Sequence, residues 1–144
     1  MTSLKEIEDV SQSEMVRSAA AGGFAARFAA AGVTTTEVLL DRAGTPKGRE
    51  DLATATGVDH SVILRLANHA DLFRIRGIAT QYADLLEAAG VDTVPELAQR
   101  NPENLVKKLA EVTEAQGLVK RLPTLTEVTD WIAQAKEMPR AIHY

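Results

Sequence analysis

One six-residue motif occurs twice in this chain. Ala30-Ala31-Gly32-Val33-Thr34-Thr35 is echoed by Ala88-Ala89-Gly90-Val91-Asp92-Thr93. Beyond each motif further positions correspond in the same order: Leu39 and Leu97, Arg42 and Arg100, Leu52 and Leu109, Val62 and Val128. Such self-similarity is typical of a duplicated structural unit, and a unit of only roughly 70 residues buries its own apolar face poorly. The sequence therefore predicts two degenerate repeats that pack as a pseudo-symmetric pair.

The apolar residues of both copies follow the spacing of helices. Val128, Trp131, Ile132 and Ala135 recur every three or four residues, which marks one buried helix face. No segment alternates apolar and polar residues for long enough to predict a strand. Aromatic residues make up only 4% of the chain, so an aliphatic core between helices is expected. These observations predict an all-α fold.

Residues 1–71 are predicted to form the first repeat, with an Ala-rich insertion, and residues 72–144 the second. Gly22-Gly23 interrupts the Ala-rich stretch and predicts a break or hinge, because glycine weakens a helix interior. Residues 45–48, which contain proline and glycine, are interpreted as a loop. His143 is placed in a frayed segment after the last helix.

Several classes of function are excluded or disfavoured by residue content. The chain has no cysteine, so disulfides and thiolate nucleophiles are absent. No apolar run approaches the roughly 20 residues of a membrane span, and residues 1–6 lack a signal-peptide pattern, so a cytoplasmic protein without membrane contact is expected. His69 and Asp71 stand two apart on a predicted helix and point to different sides. The sequence thus predicts a packing role for His69 and a protein that is not an enzyme, with no metal and no cofactor.

The second copy contains a candidate contact site for a partner. Leu72-Phe73-Arg74-Ile75-Arg76-Gly77-Ile78-Ala79 places a glycine turn between apolar residues that join two helices, in the manner of a helix-hairpin-helix. A turn glycine permits positive φ, and N–H groups at the next helix start can hold a phosphate. Two arginines flank the turn. The candidate binding residues are Arg74, Arg76, Gly77, Ile78 and Ala79.

The charge of the chain weakens the nucleic-acid interpretation of this site. The formal net charge is −4, whereas a domain that contacts many phosphates normally carries a basic surplus. In the first copy Asp9 stands where Gly77 stands in the second, and its carboxylate would repel phosphate. Packing between helices is the alternative interpretation of both turns. Nucleic-acid contact, if present, is expected to be local and weak.

A second candidate nucleic-acid motif lies in the first copy. Residues 52–63 resemble a helix-turn-helix, with Gly57 at the turn and a second helix that begins near His60. That helix would present His60, Ser61 and Arg65 to a major groove. Base recognition usually involves several Arg, Asn or Gln contacts, and this helix offers one cation. The pattern is interpreted as an accident of helical packing.

Five stretches carry a resemblance to a known family: Gly48-Arg49-Glu50-Asp51-Leu52-Ala53, Asn68-His69-Ala70-Asp71-Leu72, Leu86-Glu87-Ala88-Ala89-Gly90-Val91-Asp92-Thr93, Glu96-Leu97-Ala98-Gln99-Arg100-Asn101-Pro102 and Trp131-Ile132-Ala133-Gln134-Ala135-Lys136. Over most of residues 4–138 the chain resembles uncharacterised bacterial proteins that share a domain of unknown function with tandem helix-hairpin-helix-like repeats. The resemblance implies a fold and no settled activity. The expected function is a non-enzymatic helical interaction module that docks a protein partner or itself; weak, sequence-independent DNA or RNA binding through the Gly77 turn is the alternative.

Overall fold

The computed structural model describes residues 24–117 and 119–144, which form helices and the segments between them. Eight helices lie in these residues: α1 (Phe24–Ala30), α2 (Thr36–Ala43), α3 (Pro46–Thr56), α4 (His60–Leu72), α5 (Thr80–Ala88), α6 (Val94–Ala98), α7 (Pro102–Gln116) and α8 (Leu125–Glu137). No strand occurs in this described part of the chain. The prediction of an all-α fold is confirmed.

The chain divides into two compact units. Unit 1 contains the residues up to Asp71 together with Ala141–Tyr144, and unit 2 contains Leu72–Arg140. The pseudo-symmetric packing of two repeats stays a prediction. Two further predictions, the break at Gly22-Gly23 and the acidic turn at Asp9, lie outside the described residues.

Polar side chains fix where the helices of unit 1 begin. The Thr35 hydroxyl accepts a hydrogen bond from the N–H of Val38, and the Thr45 hydroxyl accepts one from the N–H of Gly48, both at 3.1 Å. The predicted loop over residues 45–48 is wrong, because Thr45 is the N-cap of α3 and Pro46 is its first residue. Proline suits that position, since its φ is already helical and its missing N–H would have had no partner within the helix.

Helices α1 and α5 end with the same backbone bond. In each, an N–H just after the helix donates back to a carbonyl in the last turn, which satisfies a group that the helix leaves unpaired. The bonds run from Val33 to Phe28 at 2.7 Å and from Val91 to Leu86 at 2.8 Å. An arginine from the following segment then donates to the same bend: Arg42 to the carbonyl of Ala31, and Arg100 to the carbonyl of Gly90 at 3.1 Å.

Unit 2 is organised around α8, which packs against α6 and α7, while α5 packs against α7. The face of α8 formed by Val128, Trp131, Ile132 and Ala135 is buried, so the predicted stripe is confirmed. Each large aliphatic side chain that leaves water in this way contributes roughly 1.5–3 kcal/mol. The stripe also brings Trp131 beneath the turn that carries the candidate site.

In unit 1, α3 packs against α1 and α2 around buried apolar residues. The large side chains among them are Phe28, Leu39, Leu52, Ile63 and Leu66. Gly48, in the first turn of α3, faces the last turn of α2 so closely that a Cβ would lie 1.9 Å from the Arg42 carbonyl oxygen. The junction of α2 and α3 is therefore a backbone-to-backbone contact.

The segment Ala141–Tyr144 is bound to unit 1. Its Ile142 side chain is buried, and the N–H of His143 donates to the Gly44 carbonyl at 2.7 Å. The carbonyl of His143 accepts a hydrogen bond from the guanidinium of Arg49 at 2.9 Å. The prediction that His143 lies in a frayed segment is wrong, because its main chain is hydrogen-bonded through both its N–H and its carbonyl.

Within the described residues, no helix combines the length and the apolar character that crossing a bilayer requires.

Candidate functional site

The candidate site is the turn between α4 and α5, at Gly77. The φ angle of Gly77 is +101°, so the backbone adopts the conformation that the turn glycine was expected to allow. Ile75 and Ile78, on either side, are buried in the core of unit 2. Their burial fixes the turn to the unit, and it leaves Arg76, Gly77 and Ala79 exposed.

Helix α8 holds the turn from behind through one glutamine. The amide oxygen of Gln134 accepts the N–H of Arg76 at 2.9 Å, and its amide nitrogen donates to the carbonyl of the same residue at 3.1 Å. That nitrogen also donates to a carboxylate oxygen of Asp130 at 2.9 Å, which orients the side chain. Sequence reasoning missed Gln134, because nothing in its local pattern distinguishes it from an ordinary polar residue of a helix.

Gly77 also makes room for the indole of Trp131. A Cβ at Gly77 would lie 2.8 Å from the indole nitrogen, which is closer than real Cβ contacts come. The glycine is therefore required twice, once by its φ angle and once by the ring beneath it. Trp131 itself is buried, as its place on the α8 stripe predicted.

The two candidate arginines have different environments. The guanidinium of Arg74 donates to the carbonyl of Pro139 at 2.8 Å, so it takes part in holding unit 2 together. Arg76 uses its backbone in the contact with Gln134, while its side chain is exposed. Of the two, Arg76 has the side chain that is better placed to meet a partner.

The backbone N–H groups of the turn are largely used inside the protein. Ile75 donates to the Leu72 carbonyl at 3.1 Å, Ile78 donates to the Ile75 carbonyl at 3.3 Å, and the N–H of Arg76 is bonded to Gln134. A phosphate cradle requires such groups to point at the ligand. These three amides already have acceptors, so a phosphate at the turn would have to bind N–H groups at the start of α5 instead.

A chain of contacts leads from the turn toward the segment before α8. The ring of Tyr82 lies beside that of Trp131, with centroids 5.3 Å apart, and the Tyr82 hydroxyl donates to the carbonyl of Arg121 at 3.1 Å. Next in the chain are Leu122, 41% exposed, and Leu125, 46% exposed. Sequence reasoning missed these leucines, although Leu125 lies off the buried stripe of α8, and that was a usable signal; Leu122 precedes the helix.

An ion pair between Arg121 and Glu127 links the segment that carries the two leucines to the first turn of α8. Both terminal guanidinium nitrogens of Arg121 donate to the carboxylate of Glu127 at 2.9 Å. Glu127 also accepts the N–H of Thr124 at 3.0 Å, and the Thr124 hydroxyl accepts the N–H of Glu127 at 3.1 Å, forming a capping box at the start of α8. The hydrogen bonds from Arg121 and then from Thr124 lower the pKa of Glu127 from 4.5 to about 2.

The helix-turn-helix candidate has the local geometry of two helices with a turn at Gly57. The side chains of His60, Ser61 and Arg65 on α4 are exposed. Asp59 precedes the helix, and its carboxylate accepts hydrogen bonds from the hydroxyl and the N–H of Ser61. These bonds lower the pKa of Asp59, so a carboxylate stands at the helix end that would approach phosphate. His69, near the other end of the same helix, is buried, as a packing role requires.

Comparison with known proteins adds a family. A family model described as a domain of unknown function (DUF4332) matches residues 22–138. The search of curated proteins found no match. The search of solved structures likewise found none.

Proposed function

We propose that this chain, which belongs to the DUF4332 family of domains of unknown function, is a non-enzymatic helical interaction module that docks a protein partner or a second copy of itself. The observation that carries the proposal is that an ordered turn and two exposed leucines lie in the same unit, linked through Trp131 and Tyr82. We name the exposed residues Arg76, Gly77, Ala79, Leu122 and Leu125 the turn surface. It combines a rigidly held turn with two half-exposed leucines.

The rigidity of the turn surface favours docking. Gln134 binds the N–H and the carbonyl of Arg76 from behind, and the buried Ile75 and Ile78 hold the turn on both sides. A surface that is already ordered loses little conformational entropy when a partner binds. The exposed Leu122 and Leu125 in the same unit provide apolar area of the kind that is buried at the centre of protein interfaces.

The alternative is weak, sequence-independent binding of DNA or RNA through the Gly77 turn. One observation favours it: the exposed Arg76 side chain, with Lys120 exposed in the same unit. Against it stand the net charge of −4 and the three turn amides that already have acceptors inside the unit. Docking of a protein is therefore the first proposal.

We also propose that the two units are degenerate copies of one ancestral unit. Helices α1 and α5 end in the same bend, closed by Arg42 in one unit and Arg100 in the other. The next long helix begins with proline in both, at Pro46 and Pro102, after a side-chain N-cap. The correspondence is imperfect: Ala133 stands to Val128 as Ala67 stands to Val62, yet Ala67 is buried and Ala133 is exposed. We further propose a cytoplasmic location, because a composition without cysteine suits a reducing compartment.

Salt dependence separates the two proposed functions. A partner that binds the turn surface through leucines should stay bound as salt rises, because apolar burial is not screened. Duplex binding should fade steeply with salt, and Arg76→Glu should abolish it. Fluorescence anisotropy with a labelled duplex at low salt measures this directly. If the duplex does not bind even at low salt, the nucleic-acid alternative is refuted.

The docking proposal is tested by paired variants. The double variant with Leu122→Asp and Leu125→Asp should no longer capture a protein partner that the wild-type chain captures. If the partner is a second copy, the double variant should show a lower dimer fraction in sedimentation. Ala55→Asp, at an exposed position of α3, is the matched control and should leave both unchanged. Equal capture and equal dimer fraction in all three proteins would refute docking through this surface. Circular dichroism verifies that each variant keeps its helices.

A further inference from the structure

Unit 1 contains a built site for a chain segment outside any helix, and residues 141–144 occupy it. Arg49 is only 3% exposed, and its guanidinium donates to the carbonyl of Ala43 and to that of His143, both at 2.9 Å. The N–H of His143 donates to the carbonyl of Gly44 at 2.7 Å. The bound segment is thus recognised through its main chain, by one buried cation and one carbonyl.

Side chains complete the recognition. Ile142 is buried, and the ring centroid of Tyr144 lies 6.0 Å from the central carbon of the Arg49 guanidinium. A Cβ at Gly44 would stand 2.7 Å from the carbonyl oxygen of Ala141, so the glycine provides the space through which the segment passes. Main-chain hydrogen bonds with a buried anchor side chain are how many domains bind extended peptides.

We propose that this site, formed by Ala43, Gly44 and Arg49, is a peptide-binding site that also takes residues 141–144 of a second copy of this chain. The inference goes beyond the proposed function, because this site lies in unit 1 whereas the turn surface lies in unit 2. A segment from a second copy makes the same contacts as the chain's own segment, so the two compete on equal terms apart from effective concentration. Exchange of an identical element between copies is a low-cost route to dimers.

The connection to the segment suits such an exchange. Helix α8 ends at Glu137, and residues 138–140 lie outside any helix. Met138 is extended, with φ −97° and ψ 136°. Moving the segment from one copy to another redirects this short link and breaks the hydrogen bond from Arg74 to the Pro139 carbonyl, but α8 need not unwind.

The experiment uses the full chain with a labelled peptide of residues 138–144. Ile142→Asp places a carboxylate at the buried anchor and releases the chain's own segment, which leaves the site open. The peptide should bind this variant at least about tenfold more tightly than it binds the wild type, because in the wild type the attached segment competes at roughly millimolar effective concentration. Fluorescence anisotropy gives both affinities.

Matched controls define the site. A peptide in which Asp replaces the isoleucine should bind neither the wild type nor the Ile142→Asp variant. Adding Arg49→Gln to the Ile142→Asp variant should weaken binding of the unsubstituted peptide about tenfold, because a charged hydrogen-bond donor is lost. His143→Pro, which removes the N–H that Gly44 accepts, serves as the open-site protein if Ile142→Asp does not fold. Failure of the peptide to bind any folded open-site variant overturns the proposal, as does equal binding to the wild type.

The second copy as occupant has its own test. Sedimentation of the wild-type chain should show a dimer fraction that rises with protein concentration and that Ile142→Asp lowers. A wild-type chain that stays monomeric throughout overturns exchange between copies. The peptide titration does not involve the turn surface of unit 2, so its failure leaves the proposed docking function standing. Conversely, loss of docking function with intact peptide binding rejects only the turn surface.

Discussion

Replacement of Gly48 by alanine is expected to be among the most damaging single-methyl changes in unit 1. The new Cβ would lie 1.9 Å from the carbonyl oxygen of Arg42 and 3.0 Å from its carbonyl carbon. Contacts under 3.0 Å are essentially never seen for real Cβ atoms, so the two backbones must separate by about 1.1 Å. The obstructing atom belongs to the main chain of α2 and cannot rotate away.

The expected cost follows from two opposing effects. Overpacking of a well-packed site costs typically about 1–3 kcal/mol, and a clash with main chain belongs at the upper end of that range. Alanine gains back about 1 kcal/mol over glycine in a helix. The net loss of unfolding free energy is therefore about 2 kcal/mol, which for a chain of this size lowers Tm by roughly 4–8 °C.

Urea denaturation followed by circular dichroism measures the loss. Gly57→Ala is the control, because no atom lies within 4 Å of a Cβ there, and only the left-handed backbone at φ +72° opposes the change. That control should cost about 1–2 kcal/mol from backbone strain alone. If Gly48→Ala proves as stable as the wild type or more so, the close approach of α2 and α3 is not as described and the reasoning fails.

Three further predictions concern unit 2. Gly77→Ala should lower the unfolding free energy by about 2 kcal/mol or more, because the new Cβ meets the indole and the backbone has a positive φ. Gly117→Ala has open space around its Cβ, so it should lose only about 1–2 kcal/mol to backbone strain. Thermal denaturation compares the two variants. Gln134→Ala should lower the hydrogen-exchange protection of the Arg76 amide without a comparable change elsewhere in unit 2. Unaltered protection of that amide would contradict the hydrogen bond from Arg76 to Gln134. Because the folded pKa of Glu127 lies below its ordinary 4.5, at about 2, its contribution to stability is present above about 4.5 and is lost as pH falls toward 2; Glu127→Gln should reduce this pH dependence, and a carboxyl resonance that titrates near 4.5 would refute it.

The helices were predictable where local signals agree. The stripe on α8 and the turn at Gly77 follow from periodicity and from one glycine, and both depend on residues within a few positions of each other. The start of α3 was missed although the signal was there: Thr45 before Pro46 is a good N-cap followed by a good first residue. The sequence Pro-Lys-Gly resembled a turn, and the tertiary contact of Gly48 with α2 explains that glycine instead.

The contacts of residues 141–144 and the hydrogen bonds between Gln134 and Arg76 could not be predicted, because each joins residues far apart in sequence. Arg49 and His143 are 94 residues apart in the sequence. Gln134 and Arg76 are 58 residues apart. Neither residue carries a local pattern that distinguishes it from its neighbours. A buried arginine is the one partial exception, since arginine is rarely buried without partners, but its burial is itself a property of the fold.

The glycine of the turn shows why a residue pattern alone does not identify a ligand. A helix-hairpin-helix-like turn uses glycine so that backbone N–H groups can face a phosphate, yet Gly77 has a complete explanation in the indole of Trp131 and in its own φ angle. Its presence therefore gives no support to phosphate binding over packing. The discriminating feature is the exposed side chain of Arg76, which the packing of unit 2 does not require. For this reason the change of charge at Arg76, rather than any substitution of the glycine, tests what the turn contacts.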